Sequence, residues 1–250
     1  MERARFIKIA VTVLALSLTA LAAKRALVAW RQGGAEQSPH SSHAIPAPLA
    51  PGQQVGAASM LALDRIGHKI EGDYVFTDQS GQPFHLNDWF DKPLIVSYIF
   101  TSCENICPTI SASLARYIKD GPLKLGQDFR VVSVGFDTEK DTPQALDRFG
   151  GSVTASFEHW RFVSGGPETV RALAKELGIS YKRDEKGEWM HLVAVTALAP
   201  QGVVFRHLFG DTYSPQTINE TLTKAARGEP PPRAPGGLMI GGRSGKEDDD

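Results

Sequence analysis

Hydrophobic and polar positions divide the 250-residue chain into two polar ends and a body that predicts α/β structure. Within the body, residues 94–100 and 129–136 are continuous apolar, β-rich runs, typical of strands covered on both faces. Shorter runs predict further strands at residues 74–76, 83–86, 160–163, 192–198 and 203–209. Because helical patterns separate several of these runs, the chain predicts a mixed sheet flanked by helices.

The helical patterns carry recognisable start and stop signals. Pro108 is suited to the start of a helix that follows the first long strand. Thr142 is the predicted N-cap of a short helix. Residues 167–177 have an amphipathic pattern, and Gly178 is suited to end that helix in the left-handed conformation. A last helix is expected at about residues 214–226.

Composition sets the limits of the domain. Residues 31–58 and 229–250 are polar, rich in Gly and Pro and without periodicity, which predicts a flexible linker and a disordered tail. The folded domain is therefore expected at residues 59–228, a usual size for a single domain. The net charge of -1, with no basic cluster in the body, argues against a nucleic-acid partner.

Residues 1–30 have the pattern of an export signal or an N-terminal membrane anchor. Three basic residues precede an uncharged run at 9–23, which is shorter than the ~20 residues of a full membrane span. Residues 20–22 offer a small-x-small cleavage site, whereas the apolar residues 26–30 favour retention as an anchor, and both alternatives stay open. A cleaved signal and a retained anchor both predict a periplasmic protein. That compartment is oxidising, so two free thiols without a function would be unusual there.

Both cysteines of the chain, Cys103 and Cys107, directly follow the strand predicted at 94–100. On a helix, this spacing places the two sulfur atoms on one face, one turn apart. Such a pair can form a disulfide or bind a soft metal ion. A purely structural bridge is disfavoured because it would close a very short loop and constrain the unfolded chain little. The nearby helix N-terminus is expected to lower the pKa of both thiols.

Three motifs, in this order along the chain, resemble those of the Sco/SenC family. Residues 100–108, FTSCENICP, are similar to the family's F-T-x-C-x-x-x-C-P signature. Residues 132–143, VSVGFDTEKDTP, are similar to its V-S-x-D-P-x-x-D-T-P stretch. His191, which leads into a predicted strand, and the turn at 200–202 are similar to its late histidine strand and D-G turn. The resemblance covers about residues 65–227.

The chain departs from the family pattern at three positions. Thr138 replaces the usual proline, and Gln201 replaces the usual aspartate before the turn glycine. Leu192 follows the histidine where many members carry threonine. Of the three, the Leu192 change lies nearest the expected metal site, so it bears on metal affinity more than on the fold.

The resemblance implies a thioredoxin-like α/β sandwich with a central mixed sheet flanked by helices. It also implies a copper site, for Cu(I) or Cu(II), whose ligands would be Cys103, Cys107 and His191. Family members help assemble the copper centre of cytochrome c oxidase, and some act as thiol–disulfide reductases. The implied partner is therefore the copper-bearing oxidase subunit or another copper chaperone.

The chemistry of the residues agrees with copper but leaves alternatives for individual positions. Thiolates are soft ligands that select Cu(I), whereas structural zinc sites usually have four protein ligands and this chain has no third cysteine. His191 has an alternative as a satisfied buried histidine, and His207 is a rival ligand. Asp137 either orients a ligand or contacts a partner, or it caps the following turn.

Two functions of different classes follow from these motifs. The first is a copper-binding metallochaperone for cytochrome c oxidase assembly. The second is a periplasmic thiol–disulfide oxidoreductase, in which Cys103 and Cys107 are the redox-active pair. Whether the protein is an enzyme stays open between them. A peroxidase of the same fold is disfavoured, because those enzymes carry a T-x-x-C motif and Thr101 lies only two residues before Cys103.

Overall fold

A computed structural model describes residues 57–232 of the chain. The predicted signal or anchor at 1–30, most of the linker at 31–58 and the tail from residue 233 onward lie outside the described residues. None of the helices in the described range combines the length and the apolar character that a bilayer crossing requires.

The described residues form five helices and nine strands. The helices are α1 (Ala57–Asp64), α2 (Ile106–Asp120), α3 (Pro143–Gly151), α4 (Pro167–Leu177) and α5 (Pro215–Ala226). The strands are β1 (Val75–Asp78), β2 (Pro83–His85), β3 (Leu94–Ile99), β4 (Arg130–Gly135), β5 (Trp160–Ser164), β6 (Tyr181–Arg183), β7 (Trp189–His191), β8 (Ala194–Ala199) and β9 (Val203–Phe209). Short 3-10 turns lie at Leu86–Trp89 and Pro200–Gly202.

Seven strands form one mixed sheet in the order β2-β1-β5-β4-β3-β8-β9. The central strands β3, β4 and β5 are parallel, and the outer strands pair antiparallel. Ile99 of β3 lies opposite Gly135 of β4, so both strands end at the same edge of the sheet. In sheets of this kind, binding sites form at the carboxyl ends of the strands.

The alternating side chains of β3 enter two hydrophobic clusters, one on each face of the sheet. Leu94 and Val96 belong to the cluster that includes Leu173 of α4. Ile95 and Ile99 belong to the cluster that contains residues of α2, α3 and α5. All six residues of β3 are buried, so the prediction of a strand covered on both faces is confirmed.

The predicted helix signals agree with the structure at two positions. Thr142 precedes α3, and its side-chain oxygen accepts a hydrogen bond from the backbone N–H of Ala145. Gly178 follows α4 in the left-handed conformation, with a φ of 68°. Leu61 lies close by, and a Cβ added to Gly178 would come within 2.4 Å of its backbone oxygen.

Two predictions about the segments around the motifs are wrong. The helix after the cysteines begins at Ile106 rather than Pro108, because proline is tolerated anywhere in the first turn, where backbone N–H groups have no helical partner. The strand expected at 192–198 begins at Ala194. His191 instead ends β7, which pairs antiparallel with β6 in a small separate sheet.

Candidate metal centre

The cysteine loop, residues 100–105, connects the carboxyl end of β3 to the start of α2. The backbone N–H of Cys103 donates to the carbonyl oxygen of Phe100 at 3.0 Å, which forms a turn directly after the strand. Because α2 begins at Ile106, Cys107 lies in its first turn, whereas Cys103 lies before the helix. The two cysteines therefore do not share one helix face, but the helix start at Ile106 places Cys107 within hydrogen-bond reach of the Cys103 sulfur.

The two cysteines are free thiols in different surroundings. Cys103 is partly exposed, and its Sγ accepts a hydrogen bond from the backbone N–H of Cys107 at 3.4 Å. A hydrogen bond from the Cys107 side chain, with further backbone N–H donors, lowers the pKa of Cys103 to about 6. That same hydrogen bond and complete burial raise the pKa of Cys107 well above its ordinary value. The expectation of two lowered pKa values is correct for Cys103 and wrong for Cys107.

His191 lies on β7, half-buried among aromatic side chains. Its ring centroid is 5.3 Å from that of Phe136 and 6.0 Å from that of Phe100. Nδ1 lies 3.1 Å from the carbonyl oxygen of Leu192, which can only accept, so we assign the ring proton to Nδ1. Burial lowers the pKa of His191, which favours a neutral ring whose Nε2 is able to bind a metal.

Phe100 lies between the two predicted halves of the site. Its carbonyl oxygen accepts from Cys103, and its ring contacts His191 edge-to-face. Across residues 57–232, no three side chains of His, Cys, Asp or Glu approach closely enough to hold one metal ion. The structure thus brings Cys103 and Cys107 together and places His191 against the start of their loop, without bringing it to ligand distance.

His207, the rival histidine, is buried on β9, the outermost strand of the seven-stranded sheet. It is on β9 opposite Thr196 of β8, and Thr196 lies opposite Val96 in the middle of β3. Its Nδ1 is 3.0 Å from the hydroxyl of Thr196, and the residue is only 5% exposed. Since the cysteines follow the end of β3, His207 does not lie at their edge of the sheet. Of the two histidines, His191 is the one that lies beside the cysteine loop.

Asp137 connects the end of β4 to the hairpin formed by β6 and β7. Its carboxylate is buried and accepts a hydrogen bond from Trp189 Nε1 at 3.0 Å. Its other oxygen lies 3.5 Å from the guanidinium of Arg183. The turn after Asp137 is closed by its backbone carbonyl, which accepts from the N–H groups of Lys140 and Asp141. Of the two alternatives for the side chain, the contacts therefore favour support of the histidine segment.

Asp141 is a residue of the site region that the sequence did not single out. One carboxylate oxygen accepts from both the backbone N–H and the hydroxyl of Thr101, each at 2.7 Å. The other accepts from the backbone N–H of Asp137 at 2.9 Å. Burial raises the pKa of Asp141, while the hydrogen bonds from Thr101 oppose this shift. The signal in the sequence is a pair of aspartates four residues apart, directly after a buried strand.

The sequence and the fold of this chain are similar to those of known proteins. The family model SCO1/SenC matches residues 64–227. The SCO1 protein homolog of Bacillus subtilis (strain 168) is 27% identical over 156 residues, which cover 61% of this chain and 79% of that protein.

Two solved structures share the fold. One is BsSco, a member of the Sco family of cytochrome c oxidase assembly proteins in which a disulfide switch was identified. It matches with a TM-score of 0.56 at 24% identity, over 66% of this chain and 96% of that one. The other is Arabidopsis thaliana ScoI with copper bound, with a TM-score of 0.52 at 20% identity, over 64% and 99% of the two chains. These matches confirm the thioredoxin-like sandwich. Because the family model covers more than half of the sequence, the chain belongs to the SCO1/SenC family.

Proposed function

We propose that this protein is a copper-binding metallochaperone that takes part in cytochrome c oxidase assembly and holds copper through Cys103, Cys107 and His191. One observation carries the proposal: two adjacent free thiols lie at the carboxyl end of β3, and a neutral imidazole packs against the same Phe100. The related ScoI of Arabidopsis thaliana has been solved with copper bound, and BsSco is described among cytochrome c oxidase assembly proteins.

The donor set suits copper that must be bound and then released. Thiolates select Cu(I), and an imidazole suits either oxidation state. Cys103 is mostly deprotonated near neutral pH, so binding has to displace a proton only from Cys107. Three protein ligands leave a position open for a group of the receiving protein. Because His191 lies outside ligand distance, it must approach the thiols when copper binds.

The proposal extends to location and partner. The N-terminal segment would export the chain to the periplasm and either be cleaved or keep the domain at the inner membrane. The receiving protein would be the copper-bearing subunit of cytochrome c oxidase or another copper chaperone. In both cases, the partly exposed Cys103 is the thiol that meets the partner first.

The test is a competitive Cu(I) titration of the reduced full-length protein against a chromophoric chelator. We expect one Cu(I) per chain, about 100-fold weaker binding in Cys103→Ser and Cys107→Ser, and roughly 10-fold weaker binding in His191→Ala. His159→Ala, in a partly exposed histidine of the loop before β5, is the matched control and should bind as the unaltered protein does. Absence of tight Cu(I) binding, or a His191→Ala variant equal to the control, contradicts the proposed site.

The asymmetry of the two thiols favours thiol–disulfide exchange as a second candidate function. The Cys103 thiolate attacks one sulfur of a partner disulfide, which forms a mixed disulfide and releases the other partner sulfur as a thiolate. The Cys107 thiol then loses its proton, attacks Cys103 and releases the second partner thiolate. The partner gains two electrons, and this protein ends with a Cys103–Cys107 disulfide.

This second function has its own test. Equilibration of the protein with glutathione at fixed ratios of its reduced and oxidised forms gives the reduction potential of the pair. A Cys107→Ser variant should accumulate a mixed disulfide with glutathione at Cys103, detected by mass spectrometry, whereas Cys103→Ser should not. If neither variant traps a mixed disulfide, the exchange function fails while the copper titration stands independently.

A further inference from the structure

A continuous hydrogen-bond path joins the cysteine loop to the strand that carries His191. Thr101, two residues before Cys103, donates its N–H and its hydroxyl to Asp141. Asp141 accepts from the backbone N–H of Asp137, and Asp137 accepts from Trp189 Nε1. Trp189 lies two residues before His191 on β7. The two segments with the proposed ligands are therefore tied to the same turn after β4.

Every contact in this path is specific. Asp137 and Asp141 are each only 2% exposed, and their carboxylates accept hydrogen bonds from N–H and O–H donors of Thr101, Asp137, Arg183 and Trp189. Buried hydrogen bonds to charged groups are stronger than those between neutral groups. Arg183 adds a positive charge that stacks on the Trp189 ring at 4.1 Å and reaches Asp137 at 3.5 Å. The carboxylate pair is thus held in one arrangement by groups from three segments.

The Asp141 side chain packs closely against the backbone of Gly135. A Cβ added to Gly135, the last residue of β4, would come within 2.7 Å of the Asp141 Cβ and 2.9 Å of its Oδ2. A larger residue at this position would therefore displace the carboxylate. The close approach places Asp141 beneath the cysteine loop, where its charge also contributes to the raised pKa of Cys107.

The hairpin of β6 and β7 is attached to the rest of the fold partly through Asp137. Among the described residues, its two strands pair with each other and not with the seven-stranded sheet. The backbone N–H of Leu192 donates to Ser180 and closes the hairpin itself, whereas aromatic contacts with Phe136 and the contacts with Asp137 hold it to the rest of the fold. Of these, the bond from Trp189 to Asp137 leads on to the cysteine loop.

Building on the proposed function, we infer that Asp141, Asp137 and Trp189 are positioning residues that set His191 relative to the cysteine pair. Asp141 fixes the loop of Cys103 through Thr101, and Asp137 fixes the hairpin of His191 through Trp189. The two aspartates are joined to each other by one hydrogen bond, so a change at either end of the path alters the other end. We call this set, with Thr101, the carboxylate clasp.

The clasp is tested with Trp189→Phe and Thr101→Val, which remove one donor each and keep the shape of the side chain. Trp160→Phe is the matched control, since it removes the same indole donor from a buried bond to Ser133 in the seven-stranded sheet, outside the hairpin. In the reduced, copper-free full chain, two quantities are measured at opposite ends of the path. They are the alkylation rate of Cys103 by iodoacetamide and the hydrogen exchange of the amides at 181–192.

We expect each variant to act on the far end. Trp189→Phe should change the alkylation rate of Cys103 about fivefold, and Thr101→Val should speed hydrogen exchange at 181–192 by a similar factor. Cu(I) binding should weaken roughly 10-fold in each, as for other groups that orient metal ligands. In the double variant, the loss should be smaller than the product of the two single losses, because both act on one path.

The outcomes separate this inference from the proposed function. If both variants leave the far end unchanged, as Trp160→Phe should, the clasp is overturned, whatever the copper affinity. If the unaltered protein binds no copper but the far-end effects appear, the proposed function fails and the clasp stands as a device that couples the two segments. Asp141→Asn, which puts an amide among hydrogen-bond donors, should reproduce both far-end effects in one variant.

Discussion

The two halves of the proposed site differ in how they are built into the fold. The cysteine half follows β3, a central strand with all of its residues buried and with strands paired on both sides. The histidine half lies on β6 and β7, strands of three residues each that are half-buried or exposed. One half is part of the cooperative core, and the other is a separate element attached to it. The two cysteine sulfur atoms can thus be held near each other by the core, while the His191 imidazole is positioned by the contacts of a small hairpin.

The largest expected difference lies within the preformed half. At pH 7, iodoacetamide should modify Cys103 roughly 1,000-fold faster than Cys107, because Cys103 is a partly exposed thiolate and Cys107 a buried thiol. The rate at Cys103 should rise with pH around 6 and level off above about 7. Peptide mass spectrometry after brief alkylation measures both sites in one sample. Equal labelling of the two cysteines would show that the loop is not preformed.

The next prediction concerns the core contact beneath the cysteine loop. Gly135→Ala should lower the free energy of unfolding by about 3 kcal/mol, since the new methyl group would clash with Asp141. Gly151→Ala is the control, because a Cβ there meets nothing within 4 Å. Urea denaturation measures both. A Gly135→Ala variant as stable as the control would mean that Asp141 is free to move and does not fix the loop.

A pH dependence of stability should come mainly from His207 in the core, and His191 of the hairpin, whose pKa burial also lowers, should act in the same direction. Burial lowers the pKa of His207 from 6.5 to about 4, so the unfolded chain takes up a proton at a higher pH than the folded protein. Stability from this residue is complete above pH 6.5 and falls as the pH drops from 6.5 to 4, by up to about 3 kcal/mol. Urea midpoints at pH 7, 5.5 and 4.5 should show a shallower dependence in His207→Gln than in the exposed control His85→Gln.

The smallest effect is expected in the hairpin. Asp184 accepts hydrogen bonds from the backbone N–H groups of Lys186 and Glu188, both at 2.8 Å, and so stabilises the turn. Asp184→Ala should cost about 1 kcal/mol, seen as faster hydrogen exchange at 181–191 with little change in the melting temperature. Asp184→Asn keeps the acceptor and should restore most of the protection. A fall in melting temperature as large as that of Gly135→Ala would place the hairpin in the cooperative core.

The core of the fold could be predicted because its signals are local. The continuous apolar run of β3, the cap at Thr142 and the left-handed glycine after α4 each reflect the chemistry of a few neighbouring residues. The hairpin could not be predicted in this way, because its strands are too short to show an alternating pattern. They are held by packing of Tyr181 and Trp189 on Phe136, residues distant in sequence.

In the candidate site, too, the features with a local sequence signal could be predicted and those that depend on distant residues could not. The cysteines and His191 were found through short motifs, while their roles as ligands remain a prediction. Asp141 was missed because its contact with Thr101 depends on the parallel register that brings the ends of β3 and β4 together. The opposite pKa shifts of the two thiols were also missed, since they depend on the hydrogen bond between the thiols and on which sulfur is buried.

The hydrogen bond from His191 Nδ1 to the carbonyl of Leu192 affects how the sequence determines the orientation of Nε2, the third proposed ligand atom. The acceptor that fixes the ring belongs to the adjacent residue, so the direction of Nε2 is set within two residues of chain and travels with them. Where the ring lies in space is set by other residues, across the fold. The orientation of the ring relative to its own backbone and the position of β7 in the fold are therefore set by different contacts.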